Sequence, residues 1–233
     1  MMASGVWSTK SSADLETCYK VKDIEGTLVH DALKDIGYLG ETLCDYRENG
    51  LESYFELHIE QGPKLEALGR KIGVVMGVQG MKWMKIKATG LEGHAGTQPM
   101  DTRSDALVTA SKMITAVNDV AKLTGLGVAT VGVITSDTQA QSTIPSGVEF
   151  IIDVRCSTDQ MVEDLSSAIL RRFDEIILQE NNSTAYYIVG EWALPESKFH
   201  TECIESVRAA AIDEVGETNI IEIKSGAGML YLI

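Results

Sequence analysis

Tyr54–Pro63 reads YFELHIEQGP, with His58 set between Glu56 and Glu60. Neutral imidazole can ligate a metal, and carboxylates beside it can orient the ring or carry protons. Phe55, Leu57 and Ile59 alternate with these groups, so a strand with a solvated polar face gives the same pattern. A second candidate lies in Gly90–Arg103, GLEGHAGTQPMDTR, where His94 is flanked by Gly93 and Gly96. Bare backbone and an imidazole could approach a ligand there as an oxyanion site requires; the alternative is a glycine-rich turn leading to a helix N-cap at Asp101 or Thr102. The third is Arg155 in VEFIIDVRCS, whose guanidinium could hold a carboxylate through two hydrogen bonds or pair with Asp153 on the same strand face.

These groups must be held by particular elements. Residues 13–48 suggest two short helices, the second with Leu28, Ala32, Leu33 and Ile36 at helical spacing and Gly37 as its stop. A strand is expected over ESYFELHIEQGP, then a short helix closed at Gly69, an apolar strand, and a flexible connection at Gly77 and Gly80. From Met81 the pattern becomes β-α-β-β-α-β, the split order of ferredoxin-like domains. Its first helix carries Leu107, Ala110, Ile114, Val117 and Ala121 on one stripe and stops at Gly125. A Ser157-x-x-Gln160 capping box is expected to open its second helix. ALPESKF reads as a linker, followed by a helix and the strand NIIEIKSGAG. The order predicts a domain begun over 1–79, interrupted by an α+β insert over 80–190, and resumed over 191–233.

Composition narrows the function classes. The net charge of −14 leaves few basic clusters, so nucleic acid and anionic membrane are poor partners. Four scattered cysteines without a C-x-x-C pair argue against a structural zinc cluster or disulfide framework. No apolar run approaches the roughly 18 residues of a membrane span. A cytoplasmic protein is expected.

Taken together, ELHIEQGPKLEALGRKIGVVMGVQG, ATGLEGHAGTQPMDTRSDAL, IPSGVEFIIDVR and SGAG resemble, in order, the amidase/hydantoinase/carbamoylase branch of the two-metal aminoacylase and carboxypeptidase-like hydrolases. That branch includes N-carbamoyl-L-amino acid hydrolases, β-ureidopropionases and allantoate amidohydrolases. The resemblance implies a zinc-peptidase-like catalytic domain with an inserted ferredoxin-like lid that forms a homodimer, and a divalent metal, zinc or manganese. It implies a small ureido or amidine substrate. Residue by residue it makes His58 a metal ligand, Gln61 a contact to the ureido or amide group, and Arg155 the clamp on the substrate carboxylate. His94 becomes the lid histidine that polarises the scissile carbonyl in the partner subunit's site. Ser142 and Gly228 are weaker substrate-binding candidates, Ser142 standing where the family usually has asparagine.

The family pattern also includes an upstream segment with a His-x-Asp pair and a Glu-Glu pair, and continues S-G-A-G-H-D where this chain has Met229. The expectation is therefore an incomplete chain that binds metal weakly and lacks activity alone, with a lid that folds by itself and flanks that fold poorly. The alternative is a non-catalytic dimerisation module retaining the lid.

Overall fold

The computed structural model describes residues 18–41, 52–180 and 183–226. The chain divides into two compact units, one of residues 1–73, 205–221 and 228–233, the other of 74–204 and 222–227.

The second unit contains a four-stranded antiparallel sheet. Its strands are β2 (Gly80–Thr89), β4 (Gly127–Ser136), β6 (Gly147–Cys156) and β7 (Ala185–Leu194), in the spatial order β4-β6-β2-β7. Helices α3 (Ala106–Thr124) and α4 (Asp159–Gln179) follow β2 and β6. Alternation explains the layering. Met84, Ile86 and Ala88 of β2 and Val148, Phe150, Ile152 and Val154 of β6 are fully buried in one core with residues of both helices. Phe173 of α4 lies edge-on to Phe150 at 6.1 Å and to Tyr186 at 5.5 Å, and burying such a ring contributes about 1.5–3 kcal/mol. On the opposite sheet face Trp83 and Trp192 stack at 4.8 Å.

Several helix boundaries differ from the sequence expectation. The N-cap of α3 is Asp105, whose carboxylate accepts from Leu107 and Val108 N–H; Asp101 and Thr102 belong to a separate 3-10 turn. Arg103 and Ser104 are the reason, since Arg103 is extended and Ser104 is buried before the helix begins. Leu107 is 39% exposed, and Thr109, Met113 and Ala116 share the buried stripe instead. Gly125 stops the helix in the left-handed conformation, as expected. Thr158, not Ser157, caps α4 by accepting from Met161 N–H, and Gln160 reaches Asp164 rather than closing a capping box.

A second ladder is formed by three further strands. β1 (Ile72–Val78) lies between β8 (Ser197–Lys198) and β9 (Ile220–Ser225), so part of the expected linker ALPESKF is strand. Gly77 and Gly80 are not a flexible connection. Both lie in strands, and a Cβ on Gly77 would stand 2.0 Å from the Ser197 carbonyl oxygen. Two-residue ladders complete the unit: β3 (Gly93–His94) pairs with β5 (Thr143–Ile144).

In the first unit, α1 (Val29–Asp35) ends before Gly37 at φ 73°, and α2 (Lys64–Ala67) before Gly69 at φ 61°. Both glycines were expected as stops. Of the earlier helix expected over DLETCYKVKD, residues 14–17 lie outside the described residues; Cys18 and Tyr19 are helical, but the helix does not continue, since Lys22 forms an isolated antiparallel bridge with Leu28. The strand expected over Tyr54–Pro63 does not form. Phe55, Leu57 and Ile59 are 54%, 100% and 76% exposed. Among the described residues this stretch has no strand partner, and an extended segment without one gains neither ladder hydrogen bonds nor burial. Helix α5 spans Thr201–Val215. Among the described residues no helix is long and apolar enough to cross a membrane.

Candidate functional site

His94 sits in a turn built almost wholly from backbone. Ala95 N–H donates to the Ser142 carbonyl at 2.8 Å, extending the β3–β5 ladder, so the structure brings His94 and Ser142 together. Thr97 and Gln98 N–H both donate to the His94 carbonyl. Gly96 N–H donates to His94 Nδ1 at 3.1 Å, and the ring is exposed. A backbone amide can only donate, so Nδ1 holds a lone pair and the ring proton is on Nε2. His94 therefore offers a hydrogen-bond donor at its free edge.

Arg103 closes the same turn. Its Nη2 donates to the Ala95 carbonyl at 2.6 Å and to the Gln98 carbonyl at 3.0 Å, and Nε donates to Gln98 at 3.1 Å. Sequence reasoning passed over this residue. It stands in the quoted stretch, but nothing in its spacing reveals that it binds carbonyl groups of the loop before it.

Arg155 is on the sheet face away from the helices. Nε and Nη2 hold the Asp153 carboxylate, Nη2 to Oδ2 at 2.7 Å, and Nη1 donates to the Gly226 carbonyl at 2.6 Å. The hydrogen bond to Asp153 raises the guanidinium pKa further above its usual value. Pairing with Asp153 was one of the two arrangements the sequence left open. It does not exhaust the five donors of the fork.

His94 and Arg155 lie toward opposite ends of one sheet. Gly147, opposite Thr89, begins β6 beside the His94 loop, and Arg155 is opposite Met81 at the other end. Eight residues separate Gly147 from Arg155, about 26 Å at about 3.3 Å per residue.

His58 and Gln61 belong to the first unit and are exposed. His58 Nδ1 lies 2.5 Å from the Ile59 carbonyl; an oxygen can only accept, so here the proton is on Nδ1 and Nε2 keeps the lone pair a metal would use. Gln61 adopts φ 55°, an unusual conformation for a residue with a side chain. Glu60, the apparent metal neighbour, accepts from the N–H groups of Lys64 and Leu65 at 2.8 Å and so caps α2. Among the described residues no group of three or more His, Cys, Asp or Glu side chains is placed to hold a metal ion. Gly228 lies outside the described residues.

The sequence pattern of the peptidase dimerisation domain matches residues 76–181. An N-carbamoyl-L-amino-acid amidohydrolase of Rhizobium meliloti is 33% identical over 98% of this chain and 53% of its own length. An allantoate deiminase of Arabidopsis thaliana is 33% identical over 67% of this chain and 35% of its own. The crystal structure of a hydantoinase/carbamoylase family amidase from Burkholderia ambifaria matches with a TM-score of 0.81 at 30% identity, over 97% of this chain and 54% of that one. A second amidase of that family, from Burkholderia multivorans, matches at 0.78 and 35%, over 97% and 54%. The chain thus spans between 35% and 53% of the length of these curated relatives. With the pattern of the peptidase dimerisation domain over residues 76–181 and likeness in sequence and structure over nearly all of its length, the chain is similar to the amidase, hydantoinase/carbamoylase family.

Proposed function

We propose that this chain serves a hydrolase of carbon–nitrogen, non-peptide bonds in linear ureido or amidine compounds, N-carbamoyl-L-amino acids among them, at a site shared by two subunits. The observation that carries the reading is the separation of His94 from Arg155 along β6. One small substrate can meet both only if two chains contribute. Residues 80–190 are then a ferredoxin-like lid and dimerisation domain, and 1–79 and 191–233 are pieces of the catalytic domain. The β4-β6-β2-β7 order with both helices packed against one core supports that assignment. The amidohydrolase of Rhizobium meliloti and the allantoate deiminase of Arabidopsis thaliana support the substrate class.

In this mechanism Arg155 of one chain holds the substrate carboxylate with the donors that Asp153 and Gly226 leave over. His94 of the other donates its Nε2 proton in a hydrogen bond to the scissile carbonyl, strengthening as negative charge grows on that oxygen. Gln61 hydrogen-bonds the ureido group, and Ser142, beside His94, can add a hydroxyl contact. Zinc or manganese is the metal this chemistry implies, and His58 Nε2 is a competent donor to it. The fit stops there. A catalytic zinc takes three protein ligands, and the described residues do not gather them, so no step is routed through a metal.

That shortfall favours a second reading, a non-catalytic module that dimerises through the lid. The test is ammonia release from N-carbamoyl-L-amino acids by the 233-residue chain with zinc or manganese added, for the wild type, His94→Asn, Arg155→Gln and an equimolar mixture of the two variants. Loss in each variant and recovery on mixing supports the shared site, because one site of the mixed dimer then has both groups intact. Loss without recovery overturns it. Absence of release from the wild type with either metal supports the second reading.

A further inference from the structure

We infer that Arg103 and the Gly96 amide are the positioning groups of His94: the guanidinium locks the 95–98 turn, and the amide fixes the imidazole as the Nε2–H tautomer with its donor edge outward. The inference rests on the reading that His94 acts on substrate, and adds what makes that imidazole a donor rather than a base or ligand.

The turn needs an external clamp. Its inward hydrogen bonds are made by N–H groups: Ala95 to Ser142, and Thr97 and Gln98 to His94. The carbonyls of Ala95 and Gln98 both accept from Arg103. A planar fork with donors on adjacent nitrogens can bridge two carbonyls in fixed geometry, whereas an ammonium is a point charge on a flexible stem. Charge-assisted bonds of this kind are also about twice as strong as neutral ones. The clamp therefore holds the Gly96 N–H where it meets His94 Nδ1.

Gly96 fits this role sterically as well. A Cβ there would lie 3.2 Å from His94 Cε1 and 3.4 Å from Nδ1, so the ring lies against the bare backbone. His58 provides an internal contrast. Its Nδ1 faces a carbonyl instead of an amide, so backbone polarity leaves the two rings with opposite tautomers, one with a lone pair at Nε2 and one with a proton.

The chain has only four histidines, His30, His58, His94 and His200, so imidazole nitrogens can be followed individually. The experiment is two-bond 1H–15N correlation on the 15N-histidine-labelled 233-residue chain without substrate, with the His94 signals assigned by their loss in His94→Gln. The expected result is a protonated Nε2 and a hydrogen-bonded, unprotonated Nδ1 for His94. In Arg103→Gln both shifts should move to those of exposed His200, with Arg103→Lys restoring part of the difference. Gly96→Pro, which removes the amide proton and leaves Arg103 in place, should also release the ring. The near-UV signal of the stacked Trp83–Trp192 pair reports that each variant is folded. A proton on Nδ1 in the wild type, or His94 shifts unchanged in folded Arg103→Gln, overturns the inference. Because the readout needs no turnover, it separates from the reading beneath it: hydrolysis that persists in His94→Gln overturns the catalytic role, while the nitrogen shifts judge the positioning.

Discussion

Between Met84 and Ala88, β2 buries alternate side chains, with β6 hydrogen-bonded along one edge and β7 along the other. Between Tyr54 and Ile59 the chain has the same alternation of apolar and charged residues, yet Tyr54, Phe55, Leu57 and Ile59 are exposed and no strand forms. The contrast shows what alternation supplies. It makes one face ready for burial, but the strand forms only where neighbours supply ladder partners and helices cover the apolar face. β2 has both. The candidate residues divide the same way: His94 is held by a turn anchored to the sheet unit, while His58 and Gln61 stand on a stretch without a ladder partner among the described residues.

The sharpest way to break this comparison is to remove core from the sheet unit. Phe173→Ala deletes a fully buried ring that touches Phe150 and Tyr186. The expected loss is about 3–5 kcal/mol of unfolding free energy, measured by urea denaturation followed through the Trp83–Trp192 near-UV signal. A loss below about 1 kcal/mol would mean that the core is not close-packed around this ring.

A smaller but sterically harder effect is expected at Gly90, where β2 gives way to the His94 loop. A Cβ there would stand 2.0 Å from the Ser104 carbonyl oxygen and 3.0 Å from the Ala106 amide nitrogen, both backbone atoms at the start of α3. Gly90→Ala should cost about 1–3 kcal/mol by overpacking, and should also shift the His94 imidazole signals, since the displaced segment carries that loop. A stable variant with unchanged His94 signals would separate the loop from the helix start. Next is Asp105→Ala, which removes the acceptor for two N–H groups at the start of α3. A cap of this kind is worth about 1 kcal/mol, again read by urea denaturation.

These positions also show how far the sequence was legible. The β-α-β-β-α-β order, the glycine stops at Gly37, Gly69 and Gly125, and the pairing of Arg155 with Asp153 were all within reach, because each depends on periodicity or on neighbours two residues apart. The packing of Gly77 and Gly80 was not, because it depends on atoms brought near by the fold: Gly77 meets Ser197, 120 positions later in the numbering of the chain. The cap at Asp105 is local, but Asp101 and Thr102 offer the same capping chemistry, and the burial of Ser104 is what sets the helix start after them. Arg103 escaped for a related reason, since its partners are carbonyl groups and every residue type has one. The role of Glu60 at the start of α2 is hidden for another reason: a carboxylate before a short helix and one beside a metal look alike in sequence.

Tyr186 offers a pH test confined to the sheet unit. Burial pushes its phenol upward from 10.0, and the hydrogen bond to Asp174 adds to the effect. An unfolded tyrosine loses its proton near pH 10 while the folded one keeps it longer, so above that pH the native state binds more protons and stability falls as pH rises. Below pH 10 the contribution is fully present. Tyr186→Phe should flatten the alkaline decline measured between about pH 9 and 11, and an unchanged slope would assign that decline to other groups.

The smallest expected effect decides the comparison from the other side. Leu57 is the middle apolar residue of the alternating stretch and is 100% exposed. If alternation by itself directed burial, Leu57→Ala would remove core and cost about 2–5 kcal/mol. If partners decide, the leucine contributes no buried area in this chain and the substitution should change stability by no more than about 0.5 kcal/mol. Urea denaturation of the 233-residue chain distinguishes these values directly. The same substitution in an assembly that supplied partner strands would move to the larger range, because identical residues would then have a ladder and a covered face. A large effect in the chain alone would mean that Tyr54–Ile59 is already covered, and that His58 is held more firmly than its exposed surroundings indicate.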